Sequence, residues 1–149
     1  MINLKLEKTN LEDCFILSPK VFEDERGTFS ETFNAQNFLD QTGIAVTFVQ
    51  DNESTSKYGV VRGLHFQTGV HGQTKLVRVV KGSALDVVVD LRKGSPSFGK
   101  SFSIVLSEEN KKQLFVPRGF AHGFSVLEDD TVFAYKCDAY YNKESERGI

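Results

Sequence analysis

The chain has no tryptophan, one methionine, two cysteines and three prolines among its 149 residues. Each shortage removes a class of protein. Cys14 and Cys137 have neither the density of a disulfide-stapled secreted domain nor the spacing of a zinc site, so two reduced thiols are expected, with a single bridge as the alternative. An excess of one charge is also missing. Eighteen basic and 20 acidic residues leave a net charge of -2, which offers no basic field to a nucleic acid or an anionic membrane. No apolar run is long enough to span a bilayer, and charges interrupt the first ten residues, MINLKLEKTN. That start reads as neither a signal peptide nor an anchor, and a cytoplasmic location is expected. Glycine-rich nucleotide fingerprints are absent, so any nucleotide would be recognised as part of a substrate. The three histidines, His65, His71 and His122, include no His-X-His, since Gln67 stands where a second ligand would. Only a His65/His122 pair could be assembled, and no metal and no cofactor are expected.

What remains is the material of one globular domain. Forty per cent of the residues are hydrophobic and 13 are Phe, and the length suits residues 1–149 as a single domain. Short β-type stretches at 14–17, 28–33, 46–52, 59–66, 74–81, 84–91, 98–106, 112–116, 123–127 and 131–140 alternate with turn formers at 24–27, 93–99 and 107–110. Ten strands in one domain imply two stacked sheets or a barrel. One helix of about two turns is expected at 34–43, where Asn34 caps, Phe38 and Leu39 give an apolar face, and Gly43 terminates. The run Val87-Val88-Val89 reads as a strand covered on both faces, as in a jelly-roll core.

Alternation along these strands sends polar residues inward beside aromatics. Phe48, Gln50 and Asn52 share a face, as do Phe120, His122 and Phe124, and Phe133, Tyr135 and Cys137. An interior lined by both kinds is a ligand pocket, because a buried polar group without a partner costs about 1–3 kcal/mol. The alternative for each residue singly is a satisfied core position. Arg62-Gly-Leu-His65 is the sharpest local feature. Strict alternation puts Arg62 and His65 on opposite faces, so both reach one pocket only if Gly63 breaks the register. Otherwise His65 faces solvent. Lys75 opens an apolar strand and by itself reads as a snorkelling strand end rather than a buried cation.

Taken together, Asp24-Glu-Arg-Gly-Thr-Phe-Ser-Glu31, Phe48-Val-Gln-Asp-Asn52, Val61-Arg-Gly-Leu-His-Phe-Gln67, Lys75-Leu-Val-Arg-Val-Val-Lys-Gly82, Lys93-Gly-Ser-Pro-Ser-Phe-Gly99, Phe115-Val-Pro-Arg-Gly-Phe-Ala-His-Gly-Phe124 and Tyr135-Lys-Cys137 closely resemble the dTDP-4-dehydrorhamnose 3,5-epimerase family. The likeness runs in order over nearly the whole chain. It implies an all-β, cupin-type jelly roll (a double-stranded β-helix) without metal, a homodimer with exchanged N-terminal strands, and a substrate that is a nucleotide-linked 4-keto-6-deoxyhexose. By resemblance His65 is the base, Tyr135 the acid on the opposite face and Lys75 the stabiliser of the enolate. Arg62 and His122 match positions near the sugar and pyrophosphate, and Arg26, Phe29, Glu31, Gln50, Asn52 and Glu146 match the nucleotide- and sugar-binding set. Arg26 and Glu31 are expected to act across the dimer interface.

The resemblance also implies one departure. Family members continue past the equivalent of Glu146-Arg-Gly-Ile149, and that tail supplies the Asp that pairs with the catalytic His. Either another acid substitutes, the chain is a truncated form, or activity is reduced. Three functional readings compete. The first is an epimerase acting at both C3 and C5 in the supply of a 6-deoxy sugar for surface polysaccharide. The second is a single-carbon epimerase on a related keto-sugar nucleotide, and the third a catalytically impaired sugar-nucleotide-binding cupin. A 3,4-ketoisomerase matches the ordered motifs less well.

Overall fold

The computed structural model describes residues 4–149, so the first three residues of the charged N-terminal segment lie outside it. Among the described residues the strands run, in order, β1 (Leu4–Lys8), β2 (Phe15–Pro19), β3 (Val21–Asp24), β4 (Gly27–Ser30), β5 (Gln50–Ser56), β6 (Val61–Gln67), β7 (Lys75–Lys81), β8 (Ser83–Asp90), β9 (Ser101–Ser107), β10 (Gln113–Val116), β11 (Phe120–Val126), β12 (Thr131–Cys137) and β13 (Glu146–Gly148), with one helix, α1 (Ala35–Thr42), between β4 and β5. Two antiparallel sheets form, in the orders β1-β2-β10-β7-β12-β5 and β13-β6-β11-β8-β9, while β3 and β4 make a separate hairpin. The two facing sheets are the jelly roll expected.

The helix stands where its signals place it. Asn34 accepts a hydrogen bond from the Asn37 N–H, and Gly43 closes the helix at φ 74°, in the left-handed region that glycine enters without steric cost. Three strands, β1, β3 and β13, were not expected, because they are short or interrupted by charge. The strand expected at 46–52 lies instead at Gln50–Ser56. Phe48 drew that boundary forward, yet it packs on a second core outside the sheet. The run Val87-Val88-Val89 is corrected too. Strand β8 alternates strictly, with Ala84, Asp86, Val88 and Asp90 buried and the residues between them half-exposed.

The six-stranded sheet separates two apolar clusters. Val77, Val79, Val88, Leu106, Leu114, Phe124 and Phe133 fill the space between the sheets. Leu4, Phe15, Leu17, Phe38, Leu76 and Phe115 form the second cluster, on the other side, where α1 lays Phe38 against Phe115 with ring centroids 4.5 Å apart. Both cysteines are buried and free. Burial pushes the Cys14 thiol up to about 12 and the Cys137 thiol up to about 11, so neither is a thiolate at neutral pH.

Candidate active site

Between the sheets, bordering the packed core at Phe124, lies a cavity of about 490 Å³ whose walls include Asn52, Arg62, His65, Lys75, His122 and Tyr135. The two sheets contribute differently. Strands β6 and β11 of the five-stranded sheet carry Arg62, His65 and His122, whereas β5, β7 and β12 of the six-stranded sheet carry Asn52, Lys75 and Tyr135.

The register break required at Gly63 is present. His122 pairs with His65 and Phe124 with Arg62, so two steps along β11 match three along β6, and the bulge turns both Arg62 and His65 toward the cavity. Gly63 has φ +115°, and a Cβ there would sit 2.5 Å from the Gly123 Cα. Only glycine fits this close approach of two backbones. Arg62 is steadied by donating from Nε to the Ser56 hydroxyl at 3.1 Å. His65 stands at the exposed mouth, and its imidazole has no hydrogen-bond partner among the described residues.

Lys75 is a cavity residue rather than a snorkelling strand end. Its Nζ lies 5.6 Å from the centre of the Tyr135 ring, and burial holds its ammonium below the usual lysine value. Burial also pushes the Tyr135 phenol up, so at neutral pH this group is an O–H donor. Beneath them Phe124 and Phe133 stack at 3.8 Å with their planes 8° apart. His122 lies 6.0 Å from Phe133 and is buried, with Nε2 2.6 Å from Asp86 Oδ1.

Other expected site residues stand apart from this wall. Gln50 donates to Asn52 Oδ1 at 3.1 Å and accepts from the Tyr141 N–H at 3.0 Å, and Glu146 accepts from the Tyr141 hydroxyl at 2.8 Å. These form a polar rim joined to the cavity through Asn52. Arg26 and Phe29 lie on the β3–β4 hairpin, outside the cavity of their own chain. Arg26 pairs with Asp24 at 2.7 Å, and Phe29 is 70% exposed. Glu31 follows the hairpin, half-buried. Sequence reasoning missed Asp86 and Ser54, although strand alternation marks Asp86 as an inward acid. Among the described residues no three of His, Cys, Asp and Glu come together as a metal site, and no helix is long and apolar enough to cross a membrane.

A jelly roll that gathers an imidazole, a phenol and an ammonium around one open cavity is a cupin-type scaffold equipped for proton transfer on a small molecule. The family model for dTDP-4-dehydrorhamnose 3,5-epimerase matches residues 8–149. The enzyme of that name from Shigella flexneri is 54% identical over 95% of this chain and 78% of its own length. The crystal structure of the Elizabethkingia anophelis enzyme superposes with a TM-score of 0.95 at 56% identity, covering 99% of this chain and 81% of that one. The Legionella pneumophila epimerase, solved in complex with dTDP-4-keto-L-rhamnose, gives a TM-score of 0.93 at 48% identity over 98% of this chain and 77% of that one. The chain belongs to the dTDP-4-dehydrorhamnose 3,5-epimerase family. It is an isomerase of the epimerase kind.

Proposed function

We propose that the chain inverts C3 and C5 of a dTDP-linked 4-keto-6-deoxyhexose by removing and returning protons through an enolate. The placement of His65 on one sheet and of Tyr135 and Lys75 on the other, around one cavity, carries this reading. The C4 ketone acidifies the hydrogens at C3 and C5. His65 takes the proton from one side, and the electron pair of the broken C–H bond moves to the C4 oxygen, where the Lys75 ammonium stabilises the charge. Tyr135 gives its hydroxyl proton to the same carbon from the other side, which re-forms the ketone with inverted configuration. The phenolate then regains a proton from water and the imidazolium loses one.

Arg62 and His122 hold the sugar and diphosphate, with Gln50, Asn52 and Glu146 as the polar rim. The standing hairpin supports a homodimer in which Arg26, Phe29 and Glu31 of one subunit complete the nucleotide site of the other. An arginine delivered this way suits a diphosphate, whose charges a chain of net negative charge must meet locally. The described residues act as one domain, a cytoplasmic enzyme supplying a 6-deoxy sugar for surface polysaccharide.

The test is incubation with dTDP-4-keto-6-deoxyglucose in D₂O, read by NMR at C3 and C5. Deuterium at both carbons supports the proposal. Deuterium at C3 alone replaces it with a single-carbon epimerase, and none at either carbon despite binding replaces it with a sugar-nucleotide-binding protein.

A further inference from the structure

Strand β8 buries two aspartates four residues apart on the same face, and they are treated in opposite ways. Asp90 is fully saturated. Arg92 donates to both its oxygens at 3.0 Å, and the Ser95 and Ser97 hydroxyls each donate to Oδ2 at 2.6 Å. The Arg92 N–H adds a further bond at 2.9 Å. A carboxylate so enclosed is a structural tie between β8 and the loop that follows it. Asp86 is also 0% exposed, yet among the described residues its side-chain hydrogen bonding is confined to the 2.6 Å contact with His122, and its second oxygen, Oδ2, finds no partner there. A buried carboxyl with a bare oxygen costs stability, and burial pushes its proton affinity up. Its neighbours on the strand face, Ala84 and Val88, are apolar core residues.

We infer that Asp86 is a positioning residue of the active site: by accepting the Nε2–H of His122 it fixes the tautomer of that ring, so that Nδ1 faces the cavity as a hydrogen-bond acceptor for a hydroxyl group of the sugar. The inference rests on the proposed epimerase reading and adds to it which part of the substrate His122 meets. A neutral imidazole carries one N–H. With Nε2–H committed to the carboxylate, Nδ1 is left bare, and a bare nitrogen takes a hydrogen from a donor. A diphosphate oxygen donates none, whereas a sugar hydroxyl does. The phenyl ring of Phe133 stacks against the imidazole, 6.0 Å away and inclined at 30°. The arrangement is that of an orienting acid behind a working histidine, in which replacing the acid by its amide inverts the tautomer while the shape is kept.

Asp86→Asn is the test, with Asp90→Asn as the control from the same strand and face. Imidazole ¹⁵N NMR of the folded protein at neutral pH is expected to show His122 protonated at Nε2 in the wild type. In Asp86→Asn the amide donates to Nε2 and the proton moves to Nδ1. The deuterium exchange rate at C3 and at C5 is expected to fall at least tenfold, equally at both carbons, since the residue acts through placement of the sugar. The melting temperature is expected not to fall. Asp90→Asn is expected to lower the melting temperature and leave the His122 signals unchanged. An unchanged His122 tautomer in Asp86→Asn, or exchange at the wild-type rate with the tautomer inverted, overturns the inference. Absence of exchange in the wild type overturns the epimerase reading instead, and the NMR experiment still decides whether Asp86 sets the tautomer.

Discussion

The two faces of the six-stranded sheet are built from the same strands and do different work. On the outer face, Phe15, Leu17, Leu76 and Phe115 meet Phe38 of the helix, and the cluster is closed and apolar. On the inner face, Val77 and Val79 continue the core, but two residues before Val77 Lys75 opens into the cavity, and across the strand pair Tyr135 does the same. Lys75 and Leu76 are adjacent in the chain and point to opposite sides. The pleat therefore lets a single strand contribute to stability on one side and to chemistry on the other. A substitution on one face is expected to leave the property of the other face intact.

The largest effect is expected on the inner side. His65→Ala removes the proposed base, and the deuterium exchange rate should fall by about 10²–10⁴-fold, with a melting temperature close to the wild type because the ring is exposed. Phe38→Ala is the opposite case. Loss of a fully buried ring should cost about 3–5 kcal/mol in denaturant unfolding, while the exchange rate per folded molecule is retained. A catalytic defect at low denaturant would break the separation of faces.

Asp90→Asn sharpens the comparison within the five-stranded sheet. Burial acts to raise the Asp90 carboxyl, but the hydrogen bonds from Arg92, Ser95 and Ser97 outweigh it and hold the group well below the usual carboxylate range. A depressed folded-state value means that the stabilisation is fully present above the unfolded value of about 4 and is lost as pH falls toward the folded one. The variant should be about 3 kcal/mol less stable at pH 7, and the gap should narrow in urea titrations repeated below pH 4. The smallest effect is expected at Asn34. Removal of the cap by Asn34→Ala should cost about 1 kcal/mol, detected as a small drop in melting temperature with no change in exchange.

Much of this division is legible in the sequence. The helix is announced by its cap and its terminating glycine, and the Arg62-Gly-Leu-His65 run states its own condition, since both side chains can face one cavity only if Gly63 breaks the ladder. What could not be read has physical causes. Strand β5 carries Gln50, Asn52, Ser54 and Ser56 inward, so it lacks the apolar period that marks a strand, and the aromatic Phe48 before it pulled the boundary forward. Lys75 alone has the pattern of a snorkelling end, and only the Tyr135 ring beside it reveals a cavity. Asp86 was hidden by its neighbours. Three consecutive valines read as continuous burial, whereas strict alternation through Ala84, Asp86, Val88 and Asp90 would have marked two buried acids. Arg26 and Phe29 lie on a separate hairpin, outside the lining of the cavity they are proposed to serve.

Lys75→Ala and Leu76→Ala, compared for both melting temperature and deuterium exchange, set the two faces of one strand against each other. A crossed result is expected. Lys75→Ala should lose about 10²–10³-fold in exchange, the loss found when a donor to a developing oxyanion is removed, and keep its melting temperature. Leu76→Ala should lose about 2–5 kcal/mol of stability and keep its exchange rate per folded molecule. If both variants lose activity and stability together, the two faces are one cooperative unit and the division of labour between them does not exist.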